Sequence, residues 1–306
     1  MAVAVIDEQH RFGVHQRLTL ASKGHAVDVL VMTATPIPRT LMLTAYGDMD
    51  VSRLMEKPPG RQPIDTRAVP LERLNEVTGA IGRAVETGNK VYWVCPLVEE
   101  SDTLDVAAVE QRHAHLQQLF GERVGVVHGK MSGVAKDKVM AAFSGKALDI
   151  LVATTVIEVG VDVPDATVMV IEHAERFGLA QLHQLRGRIG RGERPSTCLL
   201  LYGQPLTETA RARLKIVRET EDGFRIAEED LKIRGAGEML GTRQSGMPQF
   251  KIADIAFHGD LLATARNDAR RILEQDPELK TPRGEALRVL LYLFERDAAV
   301  LNLRSG

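Results

Sequence analysis

Short runs built almost wholly from Val, Ile, Leu, Ala and Met recur along this chain, and they restrict its fold more than any other feature. They are Ala2–Ile6, Val27–Met32, Lys90–Cys95, Val124–His128, Asp149–Thr154, Thr167–Ile171 and Thr197–Tyr202. Most are apolar at every residue rather than at every second one. A strand of that kind must be covered on both faces, which is the condition of a parallel sheet. Helix-like segments fall between the runs, near 71–87, 105–120, 133–144 and 178–190. Such alternation predicts a doubly wound α/β sheet, its parallel strands joined by helices packed on either side.

The segment Glu56-Lys57-Pro58-Pro59-Gly60-Arg61-Gln62-Pro63 breaks the pattern. Its prolines fit neither a helix interior nor a central strand, so it reads as a linker. Two strands precede it, too few for a complete α/β domain, and five follow, enough for one. From Thr207 the pattern turns helical, interrupted by the glycine-rich stretch Arg234–Gly241. The last part, about 254–301, reads as two amphipathic helices broken at Asp276-Pro277 and Pro282.

A length of 306 residues suits about two domains, and with 4% aromatic content the cores must be largely aliphatic. No run approaches the ~18 apolar residues of a membrane span. No charged-then-apolar leader is visible, so a cytosolic protein is expected. Cys95 and Cys198 each lie in a strand-like run and read as buried, reduced thiols. A net charge of −2 excludes a general positive coat. A nucleic-acid groove needs only a local basic stripe, and arginines do gather at Arg186, Arg188, Arg191 and Arg194 and from Arg211 to Arg218.

Four segments carry chemistry. Asp7-Glu8 leaves the first run, and the carboxyl end of a parallel strand faces the crevice where α/β proteins bind ligands. One carboxylate can hold Mg²⁺ through water while its neighbour polarises an attacking water. Alone, the pair reads rather as surface acids at a strand end. Thr33-Ala34-Thr35-Pro36-Ile37-Pro38-Arg39 follows the second run; its hydroxyls can bond the acidic pair, or it is an ordinary proline-rich strand exit. Ala153–Pro164 leaves a buried strand through Thr154-Thr155, whose hydroxyls and N–H groups suit phosphate oxygens. Asp162 there suits a ribose or a water, and a plain βα loop is the alternative. In Gln184–Arg191 the spacing predicts Arg188 and Arg191 on one face of a helix. Two guanidinium groups so placed can enter a nucleotide site in a facing domain and stabilise charge on the transferring phosphate. Gly187 and Gly190 each cost ~1 kcal/mol relative to Ala inside a helix, which argues for close approach there rather than a solvated end.

In order and spacing the four segments resemble motifs II, III, V and VI of superfamily 2 helicases and translocases. Val91–Ser101 and Val127–Met131 look like the intervening motifs of a second RecA-like domain. Asp7–Val14, Thr33–Arg39 with Thr44–Asp48, Trp93–Leu97 and Phe177–Gln184 extend the resemblance to the RecG family of ATP-dependent branched-DNA translocases. The transcription-repair coupling factor Mfd shares much of motifs III and VI, but Gln9 and Tyr46–Asp48 favour RecG. Arg213–Gly246 resembles the TRG motif of these two families, a helical hairpin followed by a loop that Arg234–Gly237, Gly241 and Arg243–Gly246 match closely.

The resemblance implies a RecA-like parallel sheet with helices on both faces. It divides the chain into a partial first motor domain (1–57), a complete second one (58–205), a TRG-type translocation element (206–250) and a helical carboxyl-terminal segment (251–306). ATP and Mg²⁺ are the implied cofactors. Asp7 would hold the metal through water, Glu8 would activate the attacking water, and Arg188 and Arg191 would serve as arginine fingers. Gly160, Asp162, Gln184 and Gly187 would surround the nucleotide. His10, Thr33, Thr35, Thr154, Arg234, Arg243 and Gln244 would couple it to DNA. Implied partners are branched or duplex DNA, such as replication forks and Holliday junctions, and single-stranded DNA-binding protein. The intact protein is expected to be monomeric, cytoplasmic and associated with the nucleoid.

A phosphate loop of the form Gly-x-x-x-x-Gly-Lys-Ser/Thr occurs nowhere, and His128-Gly129-Lys130-Met131 imitates it without the metal-binding hydroxyl. Without that nest of N–H groups the β- and γ-phosphates lose most of their electrostatic support. The wedge domain with which RecG splits branches is absent too. The expectation is the carboxyl-terminal part of such an enzyme, inactive by itself. A non-catalytic DNA-binding module is the alternative, and retention of Asp7, Glu8, Arg188 and Arg191 argues against it.

Overall fold

The computed structural model describes residues 3–7, 28–33, 52–96, 102–155, 163–234 and 258–294. Described residues up to Thr33 and from Leu54 to Asp230 belong to one compact unit, and Ser52, Arg53 and those from Leu231 onward to a second.

The first unit is built on six parallel strands: β3 (Ile64–Pro70), β4 (Lys90–Val94), β5 (Val124–Val127), β6 (Ile150–Ala153), β7 (Ala166–Ile171) and β8 (Ser196–Tyr202), in the order β3-β8-β7-β4-β6-β5. Strands β4, β6 and β7 are buried at every position, which is why their sequences are apolar throughout. Trp93 of β4 belongs to a cluster with Val77, Ile81 and Val85 of α1 (Leu74–Glu86) and Val109 and Leu116 of α2 (Asp102–Phe120). Tyr92, one residue earlier, points the other way, its ring centroid 5.0 Å from that of Phe143 in α3 (Gly133–Ser144). Helices therefore cover both faces, as expected. Each aliphatic side chain so buried contributes roughly 1.5–3 kcal/mol.

Five strands were expected after the linker, and six are present. The additional strand, β3, lies at the sheet edge with only β8 beside it. Its first residues alternate between half-buried and exposed, so Ile64-Asp65-Thr66-Arg67 has none of the apolar continuity of a central strand. Pro70 has no N–H to give a ladder and is tolerated at the end of an edge strand.

Ahead of the linker, β1 (Val3–Ile6) and β2 (Asp28–Val31) form a two-stranded parallel ribbon with Ile6 opposite Val31. Ala4 and Ile6 are buried while Val3 and Val5 are exposed, so one apolar face of the ribbon stays uncovered among the described residues.

Helix starts follow capping chemistry. The Ser132 hydroxyl accepts the Ala135 N–H at 3.3 Å to open α3. After α4 (Leu179–Arg186), Thr207 accepts the Ala210 N–H at 3.2 Å and opens α5 (Glu208–Glu219), which α6 (Gly223–Arg234) follows. The second unit contains α7 (Gly259–Gln275) and α8 (Pro282–Leu293). The interruption expected at Asp276-Pro277 and Pro282 separates these two helices, and Pro282 itself occupies the first helical position of α8, where its missing N–H costs nothing, with Thr281 as cap.

The helix expected over 178–190 ends at Arg186. Beyond it the chain closes successive tight turns, Arg188 N–H to Leu185 O at 2.9 Å and Ile189 N–H to Arg186 O at 3.2 Å. Gly190 then adopts φ +66°, which stops the helix. Arg188 and Arg191 thus leave a loop rather than one helical face, contrary to the i, i+3 reading. A Cβ at Gly190 would lie 3.0 Å from Ile64 Cγ1 of β3, so that glycine serves both dihedral and close packing. Gly190→Ala should lower stability by about 1–2 kcal/mol, read in urea as a fall in midpoint at unchanged slope.

Candidate functional site

All six strands of the sheet run the same way, so their carboxyl ends share one edge, and the short ribbon likewise brings its two exits together. The Met32 N–H donates to Ile6 O at 2.8 Å, extending the ladder by one residue. Asp7 and Thr33 therefore emerge at the same end of the ribbon, both exposed. Glu8, His10 and Thr35 lie outside the described residues. In the main sheet Thr154 follows β6 and is 1% exposed. Its N–H donates to Val127 O at 3.3 Å, but its Oγ1 is buried with no partner. An unmet buried hydroxyl costs about 1–3 kcal/mol, which marks it as a group for a ligand or a moving neighbour to satisfy. Gly160 and Asp162 lie outside the described residues.

The arginine loop hangs from α4, whose Leu179, Leu182 and Leu185 are fully buried. Gln184 is half-buried beside them, and Gly187 caps the helix in an ordinary helical conformation. Arg188 is half-buried; Arg191 is exposed, with its Nε donating to Gly187 O at 3.3 Å. Arg186, read from sequence as part of a surface basic cluster, is instead 2% exposed. It donates to Val217 O, to Thr220 O at 3.0 Å and to His183 Nδ1 at 3.1 Å. The two carbonyls close the carboxyl end of α5, where a cation also meets the negative end of the helix dipole. Burial pulls the Arg186 guanidinium below its ordinary value, yet arginine keeps its charge. The position was legible in principle, because residue 186 follows 179 and 182 at i+7 and i+4 and so falls on the buried face of α4.

Glu221, just past α5, extends this latch. It accepts the Ile64 N–H of β3 and the Lys57 ammonium. Burial pushes its carboxyl up, but the Lys57 and Ile64 hydrogen bonds outweigh that and hold it below the usual range. Arg234 closes α6, whereas Arg243 and Gln244 lie outside the described residues. No group of three or more His, Cys, Asp or Glu able to hold a metal exists among the described residues. No described helix is long and apolar enough to cross a membrane. Cys95 and Cys198 are buried, and burial pushes both thiols up, Cys198 to about 12.

His183 reports on the latch. Burial, then the Arg186 charge, pushes it down to about 4; an imidazolium could not accept the Arg186 N–H. The unfolded chain binds a proton there near pH 6.5, so it carries more protons than the folded chain between pH 6.5 and 4. Stability from this group is therefore lost as pH falls through that window. The loss should reach about 2 kcal/mol between pH 7 and pH 5. Urea melts of His183→Gln should lack this part of the acid dependence.

With this geometry in place, comparison with known proteins is direct. Residues 71–193 match the family model "Helicase conserved C-terminal domain", and residues 220–297 match "ATP-dependent DNA helicase RecG, domain 3, C-terminal". The RecG protein of Acidithiobacillus ferridurans is 54% identical over 279 residues, 91% of this chain and 41% of that protein. Those of Escherichia coli K12 and Bacillus subtilis 168 are 51% and 48% identical over 91% and 94% of the chain. The chain spans about 41% of the length of the first curated relatives. A solved structure of RecG bound to a three-way DNA junction aligns with a TM-score of 0.65 at 46% identity, covering 85% of this chain and 33% of that one. The yeast protein Dbp5 aligns at 0.52 and 13% identity, over 76% of this chain and 63% of that one, which shows the shared RecA-like fold alone. The chain belongs to the RecG family of ATP-dependent DNA helicases and corresponds to its carboxyl-terminal part.

Proposed function

We propose that this chain serves as the carboxyl-terminal motor part of an ATP-dependent DNA translocase-helicase that remodels branched DNA, replication forks and Holliday junctions included, in recombination and repair. The observation that carries the reading is the 54% identity to a RecG protein across 91% of the chain. In this reading residues 1–57 complete a first motor domain, 58–205 form the second, 206–250 move along the duplex and 251–306 close the chain. The partners are branched or duplex DNA and single-stranded DNA-binding protein, and the intact protein works as a cytoplasmic monomer.

Asp7 suits a Mg²⁺ ion, which takes one or two carboxylates and fills its remaining positions with water and phosphate oxygens. ATP with its metal supplies the phosphoryl group to be transferred to water, and the metal neutralises part of the phosphate charge. Glu8 orients the water. Arg188 and Arg191 stabilise phosphate charge from the opposite side, while Gly160, Asp162, Gln184 and Gly187 shape the nucleotide's surroundings. His10, Thr33, Thr35, Thr154, Arg234, Arg243 and Gln244 carry the nucleotide state to the DNA. Thr154 brings to this role a hydroxyl with no partner to give up.

None of the 306 residues forms a phosphate loop, so the chain alone should show no DNA-stimulated ATP turnover above background. A robust turnover abolished by Glu8→Gln would overturn that assignment. At the matching position of an intact relative, Arg191→Ala should lower turnover at least about 10³-fold while equilibrium ATP binding persists. Unchanged turnover would remove Arg191 from the site.

A further inference from the structure

Strands β4 and β7 lie side by side, but the chain leaves their carboxyl ends in opposite directions. From β4 it passes through α2 to β5 at one edge; from β7 it passes through α4 to β8 on the other side. That arrangement is a topological switch point, where an open α/β sheet leaves a crevice suited to a ligand. A cavity of about 350 Å³ occupies it, bounded by Cys95 at the exit of β4, Glu172 and His173 at the exit of β7, Arg176, and one face of α2.

Its wall is built. Buried Glu172 accepts the Trp93 indole N–H and two N–H groups of Arg112, one of them at 3.1 Å. The Arg112 guanidinium also sits 5.7 Å from the centre of the Trp93 ring. A carboxylate on one edge and an indole beside it hold the fork still, and three of its five N–H groups remain for another acceptor. Arg176 makes no side-chain hydrogen bond or ion pair among the described residues. His115 lines the same cavity, and its Nε2 is buried without a partner. His173 is held at φ +48°, a left-handed conformation that a non-glycine residue keeps at a cost of roughly 1–2 kcal/mol and that gathers at ligand sites.

The lining charges, Arg112 and Arg176 against Glu172, leave one net positive charge. That balances a singly charged phosphodiester, whereas a nucleoside polyphosphate brings several negative charges. Trp93 is fully buried and no described Phe, Tyr or Trp lines the cavity, so the arginine donors direct recognition to the backbone rather than to a stacked base. We propose that this cavity seats one phosphodiester group of a DNA strand, with Arg176 and the outer edge of Arg112 as donors and Gln111 and His115 beside them. The proposal rests on the reading of the chain as part of a DNA translocase.

Trp93 is the chain's one tryptophan, so its emission reports on the cavity while the anisotropy of a labelled short duplex reports on binding. Duplex should change Trp93 emission. Arg176→Ala should weaken duplex binding about tenfold and lower the slope of log K against log salt by about one, and Arg176→Lys should restore most of that slope. Inorganic phosphate and ADP should leave Trp93 emission unchanged. Wild-type affinity and slope in a folded Arg176→Ala would overturn the site and leave the translocase reading standing. Failure of the unaltered chain to bind duplex would overturn both. An emission response to phosphate or ADP without one to DNA would reassign the cavity to a free phosphate and overturn the phosphodiester.

Discussion

A guanidinium withdrawn from water has to find its partners inside the protein, and Arg186 finds them across an element boundary. A buried charge left unpaired costs several kcal/mol, far more than any single apolar contact nearby contributes. The carbonyls of Val217 and Thr220 and the ring of His183 must therefore stand where Arg186 can reach them. This requirement fixes the end of α5 against α4. Glu221 then carries the constraint to β3 and the linker through Ile64 and Lys57. The loop bearing Arg188 and Arg191 hangs from the same helix, so its base and the end of α5 form one mechanical piece.

The sheet imposes a second constraint. Parallel strands buried on both faces need helices on both sides, and that arrangement gathers every strand exit along one edge. Chemistry follows the exits: Asp7 and Thr33 on the ribbon, and Thr154, Cys95, Glu172 and His173 on the sheet. Burial separates their uses. Thr154 and His115 are orphaned polar groups, Glu172 is saturated and serves to hold Arg112, and the thiols, made weakly acidic by burial, are packing. Asp7, at the exit of β1, is exposed.

Residue type and spacing made the central strands and the order of the motifs legible, because double-sided burial writes itself as unbroken apolar runs. The same rule concealed β3: an edge strand is covered less, and Ile64-Asp65-Thr66-Arg67 looks like continuing linker. Spacing alone carries the helix of Arg188 and Arg191 on to residue 190, because there a glycine counts only as a cost within a helix. Its dihedral and its contact with Ile64 show a stop signal instead, and the contact is between segments far apart in sequence. The burial of Arg186 is hidden for a related reason. Composition marks an arginine as solvated, and only the partner carbonyls, some thirty residues away, show why one can be buried.

The loop geometry also bears on how Arg191 would act in the proposed site. Its Nε is bonded to the carbonyl of Gly187 at 3.3 Å while the residue itself stays exposed. A long, neutral-acceptor bond in contact with water contributes little net stability. A phosphate oxygen offers a charge-assisted bond roughly twice as strong and a geometry that matches the guanidinium fork. In the proposed site a phosphate oxygen would offer that stronger bond at the surface of the loop, without disturbing the buried latch beneath. Arg186 holds the base of the loop in place and Gly190 turns it, which leaves Arg191 exposed at the surface.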